Sequence, residues 1–503
     1  TVLPDYVANT LLLCVAVGTG VIIVGVATAW LTAMHDFPGR RIFAWALVLP
    51  MAMPAYVLAY VYTDFLQFVG PLQTWLRDSF AWNRNDYWFP EVRSLGGAVA
   101  MFIFVLYPYV YLLARTAFIE RSSGMLEAAR TLGLGPWQSF FRISLPLARP
   151  AIAAGATLAL METLADYGTV SYFGVQTFTT GIYRAWFSLG DRVAAAQLSA
   201  ALLAFVIVLL LLEWRSRGRS RFHNTSGRRR QLAERRLSGW RGWLATAGCV
   251  LPLGIGFVLP AVLLLRLTLA ESEAPLGPQF IGLARNSFLL AGLTSIIALT
   301  LAVLLAYGAR LAKGALAPAL NRLVGLGYAV PGSVIAVGVL IPVTRLDHWL
   351  AATWQNWSGE NPGLLLTGGI AALVYAYLVR FLAVALQSVG SSLGKITHSM
   401  DDAARSLGLG QAATLRRVHL PILRSSLFTA ALLVFVDVMK ELPATLVMRP
   451  FDFDTLATQA YTLAADERLA EAAAVSLAIV AVGLLPLIVL SQQISRQIAG
   501  RGG

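Results

Sequence analysis

Glu127-Ala-Ala-Arg-Thr-Leu-Gly-Leu-Gly135, continuing to Ile143-Ser-Leu-Pro146, is a short polar island between two long apolar runs, and the chain contains it twice. The second copy reads Asp402-Ala-Ala-Arg-Ser-Leu-Gly-Leu-Gly410 and runs on to Val418-His-Leu-Pro421, 275 residues later with the same internal spacing. An acid in the first turn, two alanines and an arginine favour a short helix. Gly133 or Gly408 can then supply the left-handed residue that ends it. Pro136 suits the first position of a following helix, and Pro146 and Pro421 mark where that helix must bend or end. Each copy thus reads as a helix, a turn and a second helix. A lone Glu-Ala-Ala carries no weight. Glycine six residues on and Leu-Pro at eighteen and nineteen, doubled in one chain, is a specific pattern.

The surroundings of the island set the class. Of 503 residues, 57 % are hydrophobic and 13 % charged, too apolar for a soluble protein of this size. The chain is expected to be an all-α, polytopic membrane protein. Cys14 and Cys249 both lie inside apolar runs, so neither a disulfide framework nor a zinc site is available. The net charge of +13 has no soluble basic domain or aromatic RNA-binding motif to use it, and no nucleic-acid partner is expected.

Crossing a bilayer takes about 20 apolar residues. Such runs fall near 7–34, 42–69, 95–118, 149–172 and 193–213, then near 243–269, 286–311, 321–343, 364–389, 422–448 and 471–491. Asn9 matches Asn286 and Pro54 matches Pro331, both at an offset of 277, so the first run of the first part pairs with the second run of the second part. The expected organisation is a first half over 1–213, an Arg-rich linker over 214–242 and a second half over 243–503. That gives 11 spans, with a twelfth expected before Thr1, where no Met and no signal peptide stand. The slip from 277 to 275 is absorbed by the loops 70–94 and 344–363. Parallel duplication with an even number of crossings per unit implies a pseudo-two-fold axis along the membrane normal.

Basic residues collect on the cytoplasmic side of short loops. One side gathers Arg40, Arg41, both islands, the linker, Arg310 to Arg322 and the C-terminal tail, 26 of the 39 Lys and Arg. The islands therefore face the cytoplasm. Ten arginines in the linker make it a solvated polybasic tether for anionic lipid. The opposite loops are acidic and aromatic, with Trp75, Trp82 and Trp88 near Asp78, Asp86 and Glu91, and Trp349, Trp354 and Trp357 near Asp347 and Glu360. They serve either as interfacial anchors or as a docking face for a soluble partner.

No nucleotide-binding loop is present: Gly390-Ser-Ser-Leu-Gly394-Lys395 is one residue short between its glycines and lacks Ser or Thr after the lysine. The histidines His35, His223, His348, His398 and His419 have no metal-site spacing. The chain is therefore read as no enzyme, with its energy supplied by another subunit. Its most informative polar residues lie inside the membrane. Glu162 and Asp166 stand four apart on one helix face, and Asp437 and Glu441 occupy the equivalent positions at offset 275. An intramembrane acid costs about 2.5 kcal/mol or more near a helix centre, and it faces a cavity or a partner. Tyr167-Gly168 and Leu442-Pro443 follow directly, so each helix can break there. Two readings stay open: the four acids line a cation path, or they pair with Lys440 and other groups and lock the protein together.

The doubled island resembles the EAA loop of binding-protein-dependent ABC importer permeases, which docks into a groove on the ATPase subunit. On that resemblance Glu127, Ala128, Ala129 and Gly133, and Asp402, Ala403, Ala404 and Gly408, are the docking residues, the second copy departing by Asp402 for glutamate. Ala165-Asp-Tyr-Gly-Thr-Val-Ser-Tyr-Phe-Gly-Val-Gln-Thr-Phe-Thr-Thr-Gly-Ile-Tyr183 and Glu441-Leu-Pro-Ala-Thr-Leu-Val-Met-Arg-Pro-Phe-Asp-Phe-Asp-Thr-Leu-Ala457, with Asp466-Glu467 beyond, resemble the fused ferric-iron permeases of the Fbp/Sfu/Fut type. The resemblance covers nearly the whole chain. It implies a multi-pass permease of the bacterial inner membrane, Fe(III) delivered by a periplasmic ferric-binding protein, and a homodimeric ATPase holding ATP and Mg, with no cofactor bound tightly by this chain. Ferric iron is a hard cation that prefers oxygen ligands. Glu162, Asp166, Asp437 and Glu441 with Tyr56, Tyr60 and Tyr167 could supply them transiently, or the tyrosines could simply pack. Thiamine permeases share the fused architecture, and phosphonate and polyamine permeases share the loop. A membrane enzyme would need a nucleophile and base or a metal constellation, and a channel would need no paired docking loops.

Overall fold

The computed structural model describes residues 2–121, 135–217, 235–270, 277–312 and 314–499. Within lipid every backbone N–H and C=O must be satisfied inside the segment, so the apolar runs become helices. Among the described residues ten helices are long and apolar enough to span: Leu3–Met34, Leu95–Ile119, Trp137–Ala165, Arg192–Arg215, Trp240–Ala270, Pro278–Leu311, Gly332–Ser358, Ala371–Leu393, Gln411–Met439 and Leu469–Val489. An eleventh is obtained by counting Arg40–Ala52 and Ala55–Phe80 together, although they meet at 91°. The only extended pairing among the described residues is a two-residue parallel bridge of His35–Asp36 with Arg235–Arg236.

The bend divides the apolar run expected over 42–69 into two arms. Pro54 has no N–H to give, and it forces Met53 out of the helical region, to φ −92° and ψ 114°. Pro331 does the same in the second half, where Val330 sits at φ −77° and ψ 122°. The run expected over 321–343 is thus two helices. Leu316–Gly325 is amphipathic with no buried residue, and Gly332–Ser358 is the span.

The described residues form two compact units. One comprises Thr1–Arg184, Ala200–Ala270 and Ala464–Ala473; the other comprises Ala185–Ser199, Glu271–Leu463 and Ala474–Gly503. The first is built around Leu3–Met34, Leu95–Arg121 and Leu145–Ala165, packed mutually. Glycines let these backbones meet: a Cβ on Gly155 would lie 2.7 Å from Val110 Cα, and one on Gly25 would lie 2.7 Å from Val110 Cβ. Small residues serve this purpose wherever helices associate in lipid. The second unit repeats the trio as Pro278–Leu311, Ala371–Leu393 and Leu420–Met439. Here Ala291, Ala298, Ala302 and Ala430 are fully buried, and Ser295 Oγ donates to the Ala431 carbonyl at 2.6 Å.

Prolines 146 and 421 neither end nor sharply bend their helices. The missing N–H is absorbed one turn earlier, where Phe140–Ser144 and Leu415–His419 wind as π-turns. Leu145 N–H accordingly reaches back to Phe140 O, and Leu420 N–H to Leu415 O. Widening the turn by one residue relieves the clash between the proline ring and the carbonyl four positions earlier.

Candidate coupling and translocation sites

The first island, with Glu127, Ala128, Ala129 and Gly133, lies outside the described residues. The second forms the helix His398–Ser406. Its end is a Schellman motif: Gly408 stands at φ +80°, its N–H donates to Arg405 O at 2.9 Å, and Leu409 N–H donates to Ala404 O at 3.0 Å. Asp402 and Ala403 are exposed, as is Leu407 at 80 %, whereas Ala404 is buried against the protein. Asp402 pairs with Arg405 at 2.6 Å on the exposed face.

Beneath that face lies a group the sequence did not single out. Arg310 Nε and Nη2 donate to Asp401 Oδ2 at 3.0 and 2.8 Å. Its Nη1 donates to Leu393 O and its Nη2 to Ile396 O, both at 2.9 Å. His419, with no exposed surface, brings Nε2 to 2.7 Å from Asp401 Oδ1 without hydrogen-bond alignment. Tyr307 covers the His419 ring edge-on at 5.4 Å, and its hydroxyl donates to Gln411 O at 2.9 Å. Partial burial raises the Asp401 carboxyl, but the Arg310 hydrogen bonds and charge, with His419, outweigh it and hold the group below its ordinary range.

Both intramembrane acid pairs sit where the expected breaks occur. Leu145–Ala165 stops at Asp166, which is extended at ψ 136°, and the short helix Gly168–Tyr172 follows. Asp166 Oδ1 accepts from Thr169 N–H at 2.8 Å and Val170 N–H at 3.3 Å, and Oδ2 accepts from Thr169 Oγ1 at 3.0 Å. In the second half Leu420–Met439 stops and Pro443–Met448 follows. Glu441 Oε1 accepts from Ala444 N–H at 3.0 Å, and Oε2 accepts from Thr445 N–H at 3.1 Å and Thr445 Oγ1 at 2.8 Å. Equivalent acids thus satisfy the bare N–H groups that a broken helix would otherwise leave in an apolar setting.

The halves differ in what balances the charge. Glu441 is 5 % exposed, and Arg380 Nη1 lies 3.5 Å from its Oε1. Tyr377 Oη and Thr445 Oγ1 share a 2.5 Å hydrogen bond beside the pair. Lys440 pairs with Asp437 at 3.2 Å. At the first half's equivalent positions stand Val105 in place of Arg380 and Ala165 in place of Lys440. Of the tyrosines, Tyr56 and Tyr60 are buried, Tyr60 lies edge-on to Tyr172 at 6.3 Å, and Tyr167 stacks on Tyr183 with centroids 3.6 Å apart. Among the described residues no group of three or more His, Cys, Asp or Glu is placed to hold a metal ion.

Residues 22–215 match the family model of the binding-protein-dependent transport system inner membrane component. The chain is 26 % identical over 493 residues to the Fe(3+)-transport system permease protein FbpB 2 of Haemophilus influenzae, covering 97 % of this chain and 90 % of that protein. It is 29 % identical over 204 residues to the molybdenum transport system permease protein ModB of Escherichia coli, covering 38 % of this chain and 84 % of that protein. The sulfate transport system permease protein CysW of Escherichia coli is 28 % identical over 203 residues, covering 39 % of this chain and 67 % of CysW.

Proposed function

We propose, from the premise that this chain is a multi-pass inner-membrane permease of an ABC transport system, that its cargo is ferric iron. The observation that carries the reading is the similarity to a Fe(3+)-transport permease through both halves, where the molybdenum and sulfate permeases align with well under half of the chain. A periplasmic ferric-binding protein delivers the ion. A homodimeric ATPase, which carries ATP and Mg, docks on Glu127, Ala128, Ala129 and Gly133 and on Asp402, Ala403, Ala404 and Gly408.

Between delivery and release the cation passes Glu162, Asp166, Asp437 and Glu441. Carboxylates suit a hard ion, but a transported ion must also leave. Capping hydrogen bonds occupy Asp166 and Glu441, and Arg380 and Lys440 offset the charge of the second pair. The path therefore attracts a cation without trapping it, and selectivity belongs to the external binding protein. Tyr56, Tyr60 and Tyr167 contribute to packing and, transiently, as oxygen donors. An oxyanion cargo is the second reading, favoured by the ModB and CysW similarities and by the buried Arg380.

The test uses the permease reconstituted with its ATPase and binding protein. Glu162→Gln with Asp166→Asn removes two charges, while asparagine still caps the Gly168–Tyr172 helix. Radiolabelled Fe(III) uptake should fall at least tenfold, with assembly and ATPase stimulation retained. Unchanged uptake overturns the path assignment. Transport of molybdate, sulfate or thiamine without iron by the parent overturns the cargo.

A further inference from the structure

We infer that Arg310, Asp401 and His419 are positioning residues that clamp the second docking helix to the foot of the helix carrying Asp437. The clamp transmits displacement of the docking helix to the break at residues 440–442. The inference rests on the proposed docking role of Asp402–Gly408 and extends it to residues outside that loop.

Connectivity carries it. Arg310 stands in the last turn of Pro278–Leu311, and one guanidinium ties together three segments. It bonds the Leu393 carbonyl at the end of Ala371–Leu393, the Ile396 carbonyl in the turn that follows, and Asp401 inside the docking helix. A planar, permanently charged fork makes such a junction, and a lysine cannot reproduce it. The second oxygen of Asp401 lies 2.7 Å from Nε2 of His419, which belongs to the π-turn leading without interruption into Leu420–Met439. The far end of that helix holds Asp437, and Glu441 lies just past it. Docking helix, π-turn and break are therefore joined through one carboxylate and one continuous helix.

Burial separates this cluster from an ordinary surface ion pair. The side chains of Arg310 and Asp401 are 9 % and 19 % exposed, and His419 is fully covered. The Asp402–Arg405 pair on the same helix is about 70 % exposed on both sides. Exposed pairs of that kind contribute little, whereas breaking a buried one leaves a charge without compensation. At the equivalent positions of the first half stand Ala33, Leu126 and Ser144. There Trp30 packs on Phe118 and on Phe140 of the π-turn, with centroids 5.2 and 4.7 Å apart, so that foot is held by aromatic contact.

The experiment places a nitroxide on Leu407→Cys, with both native cysteines replaced, in the full permease–ATPase complex in lipid nanodiscs. Asp401→Asn and Arg310→Gln should raise the mobile fraction of the spectrum at least threefold. Arg310→Lys should fall between them and the parent, and Arg405→Gln should match the parent. In proteoliposomes supplied with the iron-loaded binding protein, Asp401→Asn should raise the ATP hydrolysed per Fe(III) imported at least threefold, with complex assembly retained. That ratio separates transmission from mere structural support. His419→Gln, close in shape, is the second variant should Arg310→Gln fail to assemble, and it should raise the same ratio. A label that stays immobile in Asp401→Asn and Arg310→Gln, with a parental ATP-to-iron ratio, overturns the clamp. The spectrum decides the clamp whatever the cargo. Absence of any ATPase-induced change at Leu407→Cys would instead overturn the docking reading.

Discussion

Removing Arg380 should destabilise the second half by more than any contact-by-contact view of the residue implies. Its side chain is 9 % exposed and that of Glu441 is 2 %. At their 3.5 Å separation, two unit charges attract by about 5 kcal/mol at an effective dielectric near 20. Desolvation of both groups offsets most of that in the intact pair. Taking away one partner alone returns none of the cost and leaves a buried carboxylate held by Ala444 N–H, Thr445 N–H and Thr445 Oγ1. Arg380→Met, which keeps bulk and flexibility, should cost about 3 kcal/mol, at the lower edge of values for broken buried pairs because these caps share the charge. Glu441→Gln keeps one capping acceptor and should cost about 1–2 kcal/mol. The double variant should cost about 2 kcal/mol less than the sum. The site has little room for relaxation, since a Cβ on Gly332 would lie 2.5 Å from Glu441 Oε1 and 2.9 Å from Arg380 Nη1. Equilibrium unfolding of the purified permease in mixed micelles measures all three. Costs that add to within about 0.5 kcal/mol would show that the two side chains do not act as a pair.

Gly408→Ala places a Cβ at φ +80°, which should cost about 1 kcal/mol of docking-helix stability and weaken ATPase binding several-fold, while Gly408→Asn should recover part of it; equal affinities in titrations of the ATPase onto nanodisc-held permease would refute the role of the turn. Asp401 is expected to loosen the docking helix on acidification. Its pKa is depressed in the folded state, so its stabilisation is complete above the unfolded carboxylate value near about 3.9 and is lost as the pH falls through the folded value. Arg310, His398, His419 and Tyr307 are the titratable and charged groups around it. Amide exchange over 398–406 should therefore accelerate below about pH 4 once corrected for intrinsic rates, and protection that increases on acidification contradicts the sign.

Much of this was legible because local chemistry dictates it. An acid, two alanines and a glycine six residues on specify a helix and its left-handed stop, and Gly408 occupies that conformation. Acids followed by Tyr-Gly or Leu-Pro specify a break, and both breaks are present. The bend at Pro54 was hidden because hydropathy registers how apolar a segment is and says nothing of its direction, and both arms of the bend are apolar. Likewise, Pro146 and Pro421 announce a lost hydrogen bond without saying whether the helix stops or widens, and neighbouring packing decides for the π-turn. Arg380 lies 61 residues before Glu441 and Arg310 lies 91 before Asp401, and pairing at such distances has no periodic signature.

What duplication does reveal, once the pairs are seen, is where the halves diverge. Val105 faces Arg380 across the repeat, Ala165 faces Lys440, Ala33 faces Arg310 and Ser144 faces His419. All four differences place a basic side chain in the second half beside an acid: Glu441, Asp437, or Asp401 for the last two. A carboxylate at a helix break can cap bare N–H groups in either half at similar cost, so capping alone explains why acids recur at both breaks. The field each acid presents depends on the residue opposite it. In the second half Arg380 and Lys440 offset that field within the protein. In the first half Val105 and Ala165 stand at the repeat positions, and Asp166 is held by the Thr169 and Val170 N–H groups and the Thr169 hydroxyl. The divergence therefore lies in the basic partners, since Arg380, Lys440 and Arg310 each meet an acid in the second half, and not in the acids, which cap the breaks of both halves alike.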